Sequence, residues 1–215
     1  VIGLRIVVGA LAVGLVHIAA FAAPGETVHA FVFHAAYFSL ETHQADVIDP
    51  HVFVAATDAS AGVGPQALMH VAGVRPARAS DDPAMPALGA DGHALAFSLG
   101  AWFGARGTLV IDMSLPTSPR IRATFAGLVP GGMYSLFEDR FSANDVSSLP
   151  LDGFATQNSF RADERGRADI TVTLRGALTH ANGIAVVYHS DAMAHGRERG
   201  RVGIDAHDQL MYRPL

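Results

Sequence analysis

The chain has no cysteine. That absence removes thiol nucleophiles, thiolate zinc sites and the blue-copper centre, and it leaves no disulfide to stabilise an exported fold. Lysine is missing as well. All fifteen basic residues are arginine, which with abundant Ala and Gly reads as GC-rich codon usage, not as a functional arginine signal. The net charge of −5 argues against a nucleic-acid partner. There is no P-loop, no G-x-S-x-G and no H-E-x-x-H. "GVGPQA" (Gly62–Ala67) fits G-x-G-x-x-A only formally, because Pro65 interrupts it and no β-α-β pattern follows. Beyond the first two dozen residues no long apolar run occurs, so no membrane span is expected there.

What is present begins at Arg5, which precedes the apolar run "IVVGALAVGLVHIAAFAAP" with small residues at Ala20-Phe21-Ala22. This is the pattern of a signal peptide over residues 1–22, with a retained anchor as the competing reading. It predicts an exported bacterial protein, periplasmic, cell-surface or extracellular. Residues 23–215 are enough for one sizeable core and are expected to form a single domain.

Period-two patterning dominates that domain. "ADITVTL" (Ala168–Leu174) alternates Ile170, Val172 and Leu174 with Asp169, Thr171 and Thr173. "RIRATFAG" (Arg120–Gly127) places Ile121, Ala123 and Phe125 on one face. "GIAVVYH" (Gly183–His189) is apolar on both faces and reads as a central strand. "TLVIDM", "HVFVAAT", "ALMHVAGV", "HALAFSL", "HDQLMYR" and the long "TVHAFVFHAAYFSL" are further strand candidates. The spacers are rich in Gly, Pro, Asp and Ser, and residues 75–92 read as a long loop. About ten short strands separated by turn signals predict an all-β Greek-key sandwich or jelly roll.

"GLVPGGMYSLF" carries Leu128, Pro130 and Tyr134 in an L-x-P-x-x-x-Y pattern. It resembles the tyrosine corner of immunoglobulin-like and fibronectin-III-like sandwiches. The resemblance implies that the Tyr134 hydroxyl bonds back to the backbone where the chain crosses between sheets. It covers seven residues, and the cysteine pair of antibody domains is absent.

Histidine is the unusual count: ten of the eleven lie beyond the leader. "YHSDAMAHGRERGRVGIDAH" gathers His189, Asp191, His195 and His207, and His180 precedes it. Neutral imidazoles with one carboxylate suit copper or zinc, so these five residues are the first candidate metal ligands. The intervening Arg197, Arg199 and Arg201 oppose a cation and suit an anion instead. A second group, Glu41, His43, Asp46, Asp49 and His51, fits a divalent ion or a polar turn. His29 and His34 would face opposite ways on a regular strand, and His70 reads as a core or edge residue. Trp102 and Phe103 are either buried or form an exposed glycan- or protein-binding patch.

Three classes follow. The first is an exported binding protein with a His-coordinated copper or zinc ion, for which no residue pattern specifies an enzymatic activity. The second is a non-metal cell-surface module recognising extracellular protein or glycan. The third is a copper-dependent superoxide-dismutase-like oxidoreductase, although that family's His-x-His strand motif and disulfide are both missing here.

Overall fold

The computed structural model describes residues 23, 25–115, 117–142 and 145–214, so the proposed signal segment lies outside the described residues. The order opens with β1 (Glu26–Ala30), β2 (Val32–Phe33), helix α1 (His34–Glu41) and β3 (Ile48–Ala55). A small hairpin of β4 (Gly62–Val63) and β5 (Met69–His70) precedes β6 (Val74–Arg78), β7 (Pro86–Leu88) and β8 (Ala94–Ser98). Helix α2 (Leu99–Trp102) leads to β9 (Arg106–Asp112), β10 (Arg120–Ala126), β11 (Met133–Phe141) and β12 (Val146–Pro150). Then come β13 (Ser159–Arg161), β14 (Ala168–Thr173), β15 (Asn182–His189) and β16 (Ala206–Tyr212).

These strands build an all-β, sandwich-like fold of antiparallel sheets. One sheet has the order β1-β9-β10-β14, and a second runs β12-β11-β15-β16-β2, with β13 also on β11. The alternation in β10 does what period two requires: Ile121, Ala123 and Phe125 are buried, while Arg120, Arg122 and Thr124 are exposed. Their apolar face meets Tyr134, Leu136, Ile184, Val186, Tyr188 and Leu210 of the second sheet in the main core. Burial of each large side chain contributes roughly 1.5–3 kcal/mol.

The second sheet is covered on its other face too. Phe137, Ala185, Val187, Ala206 and Met211 form a separate apolar cluster there, with Tyr37 of α1 and Phe141 packed against it. That explains why β15 is apolar on both faces and sits centrally between β11 and β16. A third sheet, β6-β3-β7-β8, reaches the main core through Val52 and Val54 of β3.

Two expectations are corrected. The segment "TVHAFVFHAAYFSL" is not one strand: after Phe33 it turns into helix α1. Ala35, Ala36, Leu40 and Glu41 are strong helix formers, and the run of apolar residues concealed that local preference. Residues 75–92 are not one loop, because they carry most of β6 and all of β7. Pro76 is tolerated because β6 lies at the edge of its sheet.

Two turns position later elements. Asp163 Oδ1 accepts the backbone N–H of Arg165 and of Arg167, both at 2.8 Å, and Gly166 takes a φ of +68° between β13 and β14. The Tyr134 hydroxyl accepts the Val129 N–H at 2.9 Å and donates to Gln209 Oε1 at 3.1 Å.

Candidate functional site

The pairing of β15 with β16 shifts register between Val186 and Val187. Leu210 lies opposite Val186 and Asp208 opposite Val187, so Gln209 is the extra residue of a bulge. Directly paired residues share a face, so Asp208 joins Val187 on the outer face of the sheet, while His207 joins Tyr188 on the core side. Gln209 turns inward, donating from Nε2 to the Trp102 carbonyl at 2.8 Å. The bulge thus presents a carboxylate to the outer face next to a strand otherwise committed to packing.

β3 supplies the second component. The Asp49 carboxylate accepts the N–H groups of His51 and Val52 at 2.8 and 3.0 Å, and the indole N–H of buried Trp102 at 2.7 Å. Burial nevertheless pushes Asp49 up to about 6, against the lowering effect of these bonds. His207 Nδ1 donates to the His51 carbonyl at 2.8 Å, and the Asp208 N–H donates to His51 Nδ1 at 3.1 Å. β16 and β3 are therefore stitched together at His51. Helix α1 brings His34, its first residue, onto the same spot, with the two imidazole rings 4.8 Å apart.

His34 Nε2 and His51 Nδ1 each lie 3.9 Å from Asp208 Oδ2. Among the described residues, His34, His51 and Asp208 are the one group that places three such donor atoms within 4.8 Å of one another. All three are buried. They line a cavity of about 880 Å³, together with Gln66, Asp139, Asp145, Ser148 and Arg199.

Charge is unbalanced there. Arg199 Nη1 bonds Asp208 Oδ2 at 3.0 Å, while its Nη2 reaches Asp139 and Ser148. One guanidinium thus faces two buried carboxylates. Glu41 on the wall is neutralised by Arg213, at 2.8 Å, whereas Asp145 has no ion-pair partner among the described residues. Burial pushes Asp139 up to about 6, with Arg199 opposing. Burial pushes Asp208 the same way, but Arg199, His51 and His34 together hold it below the usual carboxylate range. Burial also lowers His34, and it takes His51 down to about 4 despite Asp208. At neutral pH the site therefore consists of two neutral imidazoles and an ionised carboxylate. His34 Nδ1, Arg199 Nε and Asp208 Oδ1 are buried without a hydrogen-bond partner among the described residues.

The residues singled out from sequence fall in three places. His189 and His195 come together, with ring centroids 5.2 Å apart, and His195 Nε2 lies 3.0 Å from Asp191 Oδ2. His189 Nε2 is engaged with Ser135 Oγ at 2.9 Å, and its Nδ1 is buried without a partner among the described residues. His207 is buried, its Nδ1 donating to the His51 carbonyl and its Nε2 lying 3.3 Å from the Ile204 carbonyl. His180 precedes β15 and His189 ends it, so an eight-residue strand, roughly 23 Å, separates them. Of the second group, His51 and Glu41 line the cavity and Asp49 supports it, while Asp46 bonds Ser80 elsewhere. Trp102 is fully buried, not part of an exposed patch.

Sequence reasoning missed His34 and Asp208. The strand parity that set His34 apart from His29 does not apply to a helix, and the bulge that turns Asp208 outward leaves no trace in composition. Comparison with protein-family models, with curated proteins and with solved structures found no match.

Proposed function

We propose that this chain is an exported Greek-key sandwich that binds a divalent transition metal, copper or zinc, between His34, His51 and Asp208. The convergence of three buried donor atoms at the base of a net-negative cavity carries this reading. Two imidazoles and one carboxylate are borderline nitrogen and hard oxygen donors, a set suited to Zn(II) or Cu(II), and three protein ligands leave coordination open towards the cavity. The unpartnered Asp208 Oδ1 gives the carboxylate spare acceptor capacity.

Without metal, the imidazole lone pairs face N–H donors: the Asp208 amide on His51 and the Gln66 carboxamide, at 3.3 Å, on His34. Leaving those two donors without their acceptors costs about 1–3 kcal/mol each, small beside the roughly 10–16 kcal/mol with which zinc-finger peptides hold zinc. The arginine beside Asp208 is matched by Asp139, so its charge does not stand alone against the cation.

The test is elemental analysis of tag-free protein dialysed against Zn(II) and Cu(II), with His51→Ala, Asp208→Asn and His189→Ala alongside. Near-stoichiometric metal lost in the first two variants and kept in the third is the expected result. Loss only in His189→Ala would move the site to the His189–Asp191–His195 loop. No retained metal in any protein would overturn the reading and leave a binding module for an extracellular protein or glycan.

A further inference from the structure

Gln66 reaches into the site from an unusual backbone. It takes φ +53°, and its neighbour Ala67 takes +56°, two consecutive non-glycine residues in the left-handed region. That conformation costs roughly 1–2 kcal/mol per residue, and such strain persists only where surrounding interactions hold it. Residues Gly62–His70 form a hairpin whose two short strands pair only with each other, so little sheet structure holds it down. What does reach the buried site is the Gln66 carboxamide: Oε1 is 2.8 Å from His51 Nε2, and Nε2 is 3.3 Å from His34 Nε2.

These contacts order the protons in sequence. The Asp208 N–H points at His51 Nδ1, so that nitrogen is an acceptor and the His51 proton sits on Nε2. Gln66 Oε1 accepts that proton. This orients the carboxamide so that its NH₂ faces His34 Nε2, which must accept. The His34 proton is then confined to Nδ1, where it finds no acceptor among the described residues. A buried N–H without a partner costs about 1–3 kcal/mol. Left alone, His34 would instead carry its proton on Nε2, towards Asp208 Oδ2.

We infer that Gln66 is the positioning residue of the metal site: it relays the His51 tautomer, which the Asp208 N–H fixes, to His34, so that His51 Nδ1 and His34 Nε2 both keep a lone pair. A carboxamide suits the place, because it accepts from one imidazole with its oxygen and donates to the other with its NH₂. Gln66 also acts as the outer partner that fixes the His51 ring, as carboxylates and carbonyls do for metal-bound histidines. On metal binding its NH₂ leaves His34 while its oxygen stays on His51. The role in metal affinity rests on the reading proposed above; the tautomers do not.

The experiment compares the wild type with Gln66→Leu and with the isosteric Gln66→Glu. Two-bond ¹H–¹⁵N spectra of the metal-free proteins report the imidazole tautomers. The expected result at pH 8 is a His34 proton on Nδ1 in the wild type and on Nε2 in both variants, since an ionised carboxylate cannot donate. A His34 that keeps its Nδ1 proton in Gln66→Leu, or a Gln66→Glu that behaves like the wild type, overturns the inference. Zn(II) competition against a chromophoric chelator should then show Gln66→Leu binding 10–100-fold more weakly. Equal affinities would remove the positioning role. A wild type that takes up no zinc yet shows the stated tautomers would sink the metal reading and leave the tautomer assignment standing.

Discussion

Replacing Arg199 by methionine tests the charge balance of the cavity directly. Its guanidinium is the shared partner of Asp139 and Asp208, whose side chains are 2% and 3% exposed. Removing one partner of a buried ion pair costs about 3–5 kcal/mol, because the charge left behind is uncompensated. Even with Arg199 in place, burial lifts Asp139 from 3.8 to about 6, a penalty of roughly 3 kcal/mol for the ionised form. The sign of the pH effect follows. A carboxyl whose folded pKa is raised contributes stability below its unfolded pKa, and that contribution is lost as pH rises through the folded value. Arg199→Met raises Asp139 further, so the deficit against wild type should be about 3–5 kcal/mol at pH 8 and clearly smaller at pH 5. Urea unfolding followed by the fluorescence of Trp102, the single tryptophan, measures both. Adding Asp139→Asn, which removes the surplus charge, should recover much of the loss. If a dication sits between His34, His51 and Asp208, Zn(II) should raise the unfolding midpoint of Arg199→Met more than that of the wild type. A deficit below about 1 kcal/mol at pH 8, or one that does not change with pH, would refute the claim that one guanidinium holds two buried carboxylates.

Two further substitutions probe the frame around the site. Tyr134→Phe removes the hydroxyl that accepts the Val129 N–H and donates to Gln209; a loss of about 1–3 kcal/mol in urea unfolding is expected, and an unchanged midpoint would mean the corner is not held by that hydroxyl. Gly166→Ala places a Cβ against the Leu128 carbonyl at a φ of +68°; strain and clash together should cost about 2–5 kcal/mol, whereas a neutral outcome in thermal unfolding would show that the turn can reshape.

Strand periodicity was the most legible feature. Ile121, Ala123 and Phe125 announce one buried face, and they form it, because alternation needs only the pleat and a core on one side. The doubly apolar "GIAVVYH" likewise announces a strand covered on both faces, though not what covers it. Helix α1 was less legible, since a run of Ala, Phe and Leu serves strand and helix alike until its neighbours choose.

By itself the sequence determined a mostly β chain, its principal strands and the absence of any thiol chemistry, because those follow from local periodicity and composition. Tertiary structure alone decided where histidines and carboxylates converge. His34, His51 and Asp208 are far apart in the chain, on a helix, a strand and a bulge, and a bulge of one residue decides which side of the sheet Asp208 faces. A one-residue shift reverses every side chain beyond it, and no local pattern records that choice, which depends on Gln209 finding Tyr134 and Trp102 across the core.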